Sequence, residues 1–179
     1  MDDIVKQAMA KWPNVPNCYG WLGLDGRGNW YLRDDRAQAA GAFQSGLPGS
    51  KGSLLTHEKL MDFIARNYLP DEQGQWFFQN GPQRVYVELQ ATPLVWRVQP
   101  DHSVKDHLGR AAEVQQAWLD EDGHLYLAST AGLGLVHTQD MGLALEAVEL
   151  GLWQPQDILQ RNLPGLFGFV KSPHASQKN

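Results

Sequence analysis

The sequence predicts an α+β fold in which duplicated antiparallel β-meanders pack against a few short helices. Three observations carry this. A phrase of pattern Asp-x-x-Gly-x-(Trp/Leu)-(Tyr/Phe)-(Leu/Phe) occurs at Asp25–Leu32, Asp71–Phe78 and Asp120–Leu127, with spacings of 71 − 25 = 46 and 120 − 71 = 49 residues. A period in this range marks a repeated supersecondary unit. In each copy Asp opens a turn through its side chain, Gly supplies the positive φ, and the apolar residues begin a strand. The second and third copies also align without a gap beyond the phrase: Tyr68–Gly74 lies over Ala117–Gly123 and Val85–Val87 over Gly134–Val136. A helix follows the first copy, which reads as a partial repeat. Lastly, the helical patterns are few and short.

In chain order, Ile4, Val5, Ala8, Met9 and Trp12 recur at helical spacing over residues 3–11, and Pro13 ends that helix. Tyr19–Leu24 and Asn29–Arg33 form a hairpin around the first Asp turn. Residues 37–53 hold four glycines and three serines and read as a flexible surface loop. A helix is expected over 56–67, capped by Thr56, with Leu60, Phe63, Ile64 and Asn67 on one face. Gln75–Gln79 and Gln83–Leu89 are strands about Asn80-Gly81-Pro82, where the proline argues against a standard two-residue hairpin. Leu94–Val98 is a strand. Val114–Leu119 leads into the third copy. Leu125–Ser129 and Gly134–Thr138 are strands about a Gly-rich turn. Asp140 caps a helix over Met141–Leu150 that Gly151 closes. Pro155 opens a short helix to Gln160, Leu166–Val170 forms a last strand, and Lys171–Asn179 is a frayed polar tail.

The expected organisation is an N-terminal lobe over 1–98, a polar linker over 99–113, and a C-terminal lobe over 114–179. Seven Trp, six Phe and five Tyr supply bulky core material. A net charge of −5 with scattered Lys and Arg argues against a nucleic-acid partner. One cysteine, Cys18, precludes an intramolecular disulfide and a Cys-based zinc site. The start of the chain lacks the apolar core of a signal peptide, and no apolar run approaches the ~18 residues of a membrane helix. A cytoplasmic protein without membrane association is expected; the oligomeric state is open.

The run Asp71–Val87, together with Met9–Pro16 and Cys18–Leu22, resembles a proteobacterial family known only as a domain of unknown function, over nearly the whole chain. The order turn-strand, helix, Asp-x-x-Gly, strand, Pro, strand is similar to a second uncharacterised bacterial family of repeated α+β motifs. That second resemblance implies a link to signal transduction. Neither implies a catalytic residue, cofactor or ligand.

No catalytic constellation stands out. As a calcium loop, the segment from Asp120 would place Ala131 where an EF-hand carries its bidentate Glu, so the turn reading prevails. His102 and His107 are five apart in a polar segment, His57 opens a helix, and His124 and His137 fall on adjacent strands. Zinc wants three or four ligands, so no metal and no cofactor is expected. Cys18 reads as a buried apolar residue, since nothing places His and Asp beside it. The most suggestive feature is strand parity. With Val85, Val87 and Leu89 facing the core, Arg84, Tyr86 and Glu88 face a surface that Trp76 or Phe77 joins from the neighbouring strand. Aromatic side chains beside an Arg and a Glu compose a binding surface; a solvated sheet face with a cross-strand aromatic pair is the plain alternative. The expected binding residues are therefore Trp76, Phe77, Arg84, Tyr86 and Glu88, in a non-enzymatic module for a small molecule or a protein partner. The alternative is a small enzyme, hydrolytic in kind, that uses His and carboxylate groups.

Overall fold

The computed structural model describes residues 1–177, so the end of the expected tail, Lys178 and Asn179, lies outside the described residues. The elements are α1 (Asp3–Lys11), β1 (Cys18–Leu24), β2 (Trp30–Leu32), α2 (Asp35–Ala40), β3 (Ser53–Leu54), α3 (Glu58–Arg66), β4 (Tyr68–Pro70), β5 (Trp76–Asn80) and β6 (Gln83–Leu89). They continue with β7 (Leu94–Val98), β8 (Val104–Asp106), β9 (Ala111–Ala112), β10 (Gln116–Leu119), β11 (Leu125–Ser129), β12 (Gly132–Val136), α4 (Met141–Glu149), β13 (Gln156–Asp157), α5 (Leu163–Phe167) and α6 (Pro173–Ser176). The fold is α+β, with two mixed sheets and a few short helices.

Two compact units divide the chain. Unit 1 comprises Met1–Asp25, Asn29–Gln90 and the residues from Phe169 on; unit 2 comprises Gly26–Gly28 and Ala91–Gly168. Among the described residues, the sheet of unit 1 has the order β3-β2-β1-β6-β5-β4 and that of unit 2 β13-β10-β11-β12-β7-β8-β9. Residues 99–113, expected as a linker, carry β8 and β9 and close one side of the second sheet. Their polarity belongs to turns and an edge, and the boundary falls at Gln90/Ala91.

The registers reveal the extent of the repeat. The meander β4-β5-β6 pairs Tyr68 with Phe78 and Phe77 with Tyr86; β10-β11-β12 pairs Ala117 with Leu127 and Tyr126 with Leu135, each 49 residues on. The hairpin β1-β2 pairs Leu22 with Leu32 and Leu24 with Trp30; β7-β8 pairs Trp96 with Asp106 and Val98 with Val104, each 74 residues on. In both units the hairpin joins the meander through one parallel pair, β1 with β6 and β7 with β12. The duplication therefore extends beyond the meander to the hairpin and its parallel junction, and β13 of unit 2 has no counterpart in unit 1 among the described residues.

It also reassigns the first Asp phrase. The counterpart of the turn Asp25–Asn29 is Gln99–Ser103: Asp25 N donates to Asn29 O at 3.0 Å, and Gln99 N to Ser103 O at 2.8 Å. Where the first turn uses a glycine at positive φ, the second uses His102, at φ 62°. A further Asp-x-x-Gly turn, Asp106–Arg110, has the hydrogen bonds of the turns at Asp71 and Asp120. Its signal in the sequence is weak because no aromatic strand follows it.

Unit 1 buries both faces of its central strands. On one face Leu22, Leu24, Val87 and Leu89 are within 2% of full burial. Phe78 on that face meets Phe63 of α3 edge-on at 5.4 Å. On the other, Tyr86 stacks on Tyr19 at 4.7 Å. Gly23 lies flat against the Phe43 ring, where a Cβ would overlap it.

Several local expectations change. Residues 37–53 are an ordered wrap about one buried cation. Arg33, 3% exposed, donates through Nε to Ser50 O (2.8 Å), through Nη1 to Gly20 O (3.0 Å) and through Nη2 to Gly41 O (2.6 Å) and Ala37 O (3.5 Å). The small residues there let carbonyls converge on the guanidinium. His57, not Thr56, caps α3, its Nδ1 accepting from Leu60 N at 3.3 Å. Asp140 makes no side-chain cap for α4. It is bidentate to Arg97 at 2.6 and 3.0 Å and accepts from Val98 N at 3.1 Å. The expected helix from Pro155 is the strand β13 followed by a 3-10 turn, Gln160–Asn162, and the expected strand 166–170 is replaced by α5 and the residues after it. The proline after Asn80 does not spoil the hairpin: Asn80 pairs with Gln83, and Gly81 at φ 57° before a Pro of fixed negative φ has the signs of a type II′ turn. In the tail, Ser172 caps α6, and Pro173 is buried.

Three outcomes follow. Gly74 and Gly123 sit at φ 75° and 82°, so Gly74→Val and Gly123→Val each lower stability by about 1–3 kcal/mol in denaturant melts. Arg33→Met leaves several buried carbonyls unpaired, lowers stability by about 3 kcal/mol, and opens residues 37–53 to limited proteolysis that the native chain resists. The Arg97 guanidinium beside Asp140 holds its carboxyl below the ordinary value, with help from Val98 N against the effect of burial. That contribution is present in full above the unfolded carboxylate pKa of about 4 and is lost as pH falls through the lower folded value. Denaturant midpoints therefore drop below pH 4, and Asp140→Asn flattens that part of the profile.

Candidate ligand-binding cleft

The Asp-x-x-Gly turns are built from one carboxylate. Asp71 Oδ1 accepts from Gln73 N (3.0 Å) and Gln75 N (2.8 Å), while Gly74 N returns to Asp71 O. The turn leaves Oδ2 pointing at the sheet, where the Tyr86 hydroxyl donates to it at 3.1 Å. Burial pushes the Tyr86 hydroxyl above its ordinary pKa, so it stays a donor.

Beside this turn unit 1 has a cleft of about 610 Å³, lined by Met1 and Met9, by Leu69 to Gln73, and by Phe77, Gln79 and Arg84. The β5–β6 register sets its floor: Phe77 opposes Tyr86 and Gln79 opposes Arg84, so all four share a sheet face. The Arg84 guanidinium lies over the Phe77 ring at 4.6 Å, a cation–π contact. No carboxylate among the described residues is ion-paired with it. Gln79, 1% exposed, donates through Nε2 to Gly81 O at 2.9 Å, while its Oε1 has no hydrogen-bond partner among the described residues.

Of the residues expected from sequence, Phe77 and Arg84 line this cleft, and Tyr86 stands behind them, 4% exposed. Glu88 has the right parity but is 2% exposed, with Oε1 taking His174 N at 3.0 Å and Oε2 taking Gln44 Nε2 at 3.3 Å. It anchors two segments and does not line this cleft. Trp76 lies on the opposite face and packs on Tyr68 at 4.8 Å. Parity puts Arg84, Tyr86 and Glu88 on one face but leaves Trp76 and Phe77 as alternatives, which the β5–β6 register resolves to Phe77; nor does it show that α6 and the wrap around Arg33 cover the far end of that face. Leu69, Gln79, Met9 and the acidic pair Asp71-Glu72 were missed. Leu69, Asp71 and Glu72 are signalled by adjacency to the turn and Gln79 by sharing the parity of Phe77, while nothing near Met9 in the chain points to the cleft.

Unit 2 has a smaller cleft of about 430 Å³ at the equivalent turn, lined by Leu119 to Glu121, by Asp157 to Leu159 and by Asn162. Here Asp120 Oδ2 takes the Tyr126 hydroxyl at 2.9 Å and meets His124 Nδ1 at 3.0 Å. Gln160 Nε2 reaches the same oxygen at 3.4 Å. Burial raises the Asp120 carboxyl, but the donors His124 N, Tyr126 Oη and Asp122 N outweigh it and hold it below the ordinary value. Burial drives the Tyr126 hydroxyl far above its usual range. His137 is buried, with Nδ1 accepting from Gln139 N at 3.1 Å. Cys18 is a half-buried free thiol whose pKa burial raises. Among the described residues no three His, Cys, Asp or Glu side chains gather to hold a metal ion, and no helix is long and apolar enough to cross a membrane.

No curated protein matches the chain. Two solved structures are similar to it. One is a DUF1285 family protein from Shewanella baltica OS155: 18% identity, 70% of this chain and 91% of that one covered, TM-score 0.46. The other is a DUF1285 family protein from Silicibacter pomeroyi DSS-3: 12% identity, 82% and 84% covered, TM-score 0.48. The family model of DUF2944, described as "Protein of unknown function (DUF2946)", matches residues 1–174, and the chain belongs to that family.

Proposed function

We propose that the protein is a non-enzymatic binding module whose unit 1 cleft takes a small molecule carrying an anionic group. The observation that carries this is Arg84: a guanidinium held over Phe77 in a cleft, with no carboxylate paired to it among the described residues. Its counterpart 49 residues on is Leu133, so the fold does not require a cation there. Arg presents a planar fork to carboxylate or phosphate. The cleft volume falls in the range of small-molecule sites.

A small molecule is favoured over a protein partner that adds a strand. In unit 2 the edge strand β10 is joined by β13 in parallel, and Ile158 N donates to Leu119 O at 3.0 Å. In unit 1 the equivalent edge residue is Pro70, which has no N–H to offer. The module acts in the cytoplasm, and sensing the ligand for a signalling output is the role it suits.

The enzymatic reading draws on the Asp120–His124 pair, whose imidazole is 41% exposed. Its other neighbours are Gln160 and the Tyr126 hydroxyl, which burial keeps protonated and unsuited to attack. The pair serves the turn, and binding is the better reading.

The test is a thermal-shift and calorimetric titration of the full chain with 4-methylpentanoate and 3-phenylpropanoate. Both bind the native chain, and Arg84→Leu weakens each at least about tenfold, which is 1.4 kcal/mol, at an unchanged melting temperature. Equal binding by Arg84→Leu, or none by the native chain, overturns the proposal. Tyr86→Ala is unsuitable as a binding probe, because Tyr86 is buried, stacked on Tyr19 and bonded to Asp71.

A further inference from the structure

Unit 2 shows what the acidic wall of such a cleft receives. There the chain's own Gln160 lies against the turn: its backbone N donates to Glu121 Oε2 at 2.8 Å, and its side-chain Nε2 reaches Asp120 Oδ2 at 3.4 Å. The wall takes N–H donors. Asp120 and Glu121 correspond, 49 residues back, to Asp71 and Glu72, which line the unit 1 cleft. Glu72 is exposed and engaged by no cation among the described residues.

Resting on the reading that Arg84 takes an anionic group, we infer that the cleft of unit 1 is specific for a small zwitterion with an apolar body, an α-amino acid of aliphatic or aromatic side chain. The ammonium goes to the Asp71-Glu72 wall, where Gln160 places its N–H groups in unit 2. The carboxylate goes to Arg84, the cation that unit 1 alone possesses at this position. The side chain rests on Leu69, Met9 and Phe77. Gln79 Oε1, buried beneath the same face with no hydrogen-bond partner among the described residues, is a further acceptor on that side of the cleft. A zwitterion answers both signs of charge in the cleft, whereas a plain carboxylate leaves the acidic wall unanswered and meets it with like charge. Polar groups that the ligand fails to pair are the larger source of discrimination.

The experiment is isothermal titration calorimetry on the full chain with three probes of one carbon skeleton: L-leucine, 4-methylpentanoate, which lacks the amine, and 3-methylbutan-1-amine, which lacks the carboxylate. L-Leucine is expected to bind at least about tenfold more tightly than either. Glu72→Gln, a change at an exposed side chain, brings L-leucine down toward 4-methylpentanoate and leaves 4-methylpentanoate no weaker, since the like charge it meets is reduced. Arg84→Leu brings L-leucine down toward the amine. If 4-methylpentanoate equals L-leucine and Arg84→Leu abolishes both, the zwitterion inference falls and the anion site stands. If the amine alone binds, or no probe binds, the anion site falls with it. If Glu72→Gln leaves L-leucine unchanged, the ammonium is not read by the acidic wall and the inference is overturned.

Discussion

One carboxylate, accepting backbone N–H groups two and four residues ahead, organises this protein. Asp71, Asp106 and Asp120 each close a turn in this way. Each turn aims the following chain back along its partner and so sets the register of the pair. The second carboxylate oxygen is left facing the sheet, where it demands a donor. A hydroxyl, an imidazole or a guanidinium must therefore come to it, and those groups define the surroundings of the clefts. Arg110 answers Asp106 at 2.7 Å, as Tyr86 answers Asp71.

The repeat shows how the same demand is met by different side chains. In unit 1 the donor is Tyr86 on β6, and the position opposite it is Phe77. In unit 2 the donor is Tyr126, at the place of Phe77, and the position of Tyr86 is Leu135. The tyrosine has moved across one cross-strand pair, and the hydrogen bond is kept. Such an exchange is open only where two positions share a face and lie within a side chain's reach. The exchange leaves Phe77 as a plain aromatic plate in unit 1, and Arg84 lies on that plate.

Edge chemistry separates the two clefts further. Leu119 accepts the N–H of Ile158, and the strand β13 and its successor Gln160 then close over the turn of unit 2. Pro70 keeps the carbonyl but has no N–H to offer such a strand in unit 1, and a larger cleft accompanies it. A single residue that lacks a donor protects an edge.

The sequence by itself determined the α+β class, most strands, and the meander repeat over 68–89 and 117–138, because turn chemistry and period-2 alternation are local. It also determined that Arg84 and Tyr86 share a face, and left open whether Trp76 or Phe77 joins them, which the β5–β6 register decides for Phe77. Tertiary structure decided which parts of that face are covered. Glu88 is consumed by His174 and Gln44, residues 86 and 44 positions away, and nothing near Glu88 in the chain announces them. Trp76 is one position out of parity with Phe77 and belongs to the opposite core. The segment 37–53 reads as loose because its residues are small and polar, yet it is fixed by Arg33, whose guanidinium gathers carbonyls from four separate residues. The hairpin half of the duplication was hidden because its turns agree in backbone geometry and not in residue type, with His102 standing where Gly28 does. Local rules fix turns, strands and faces; long-range hydrogen bonds to buried charges decide which face remains open to a ligand.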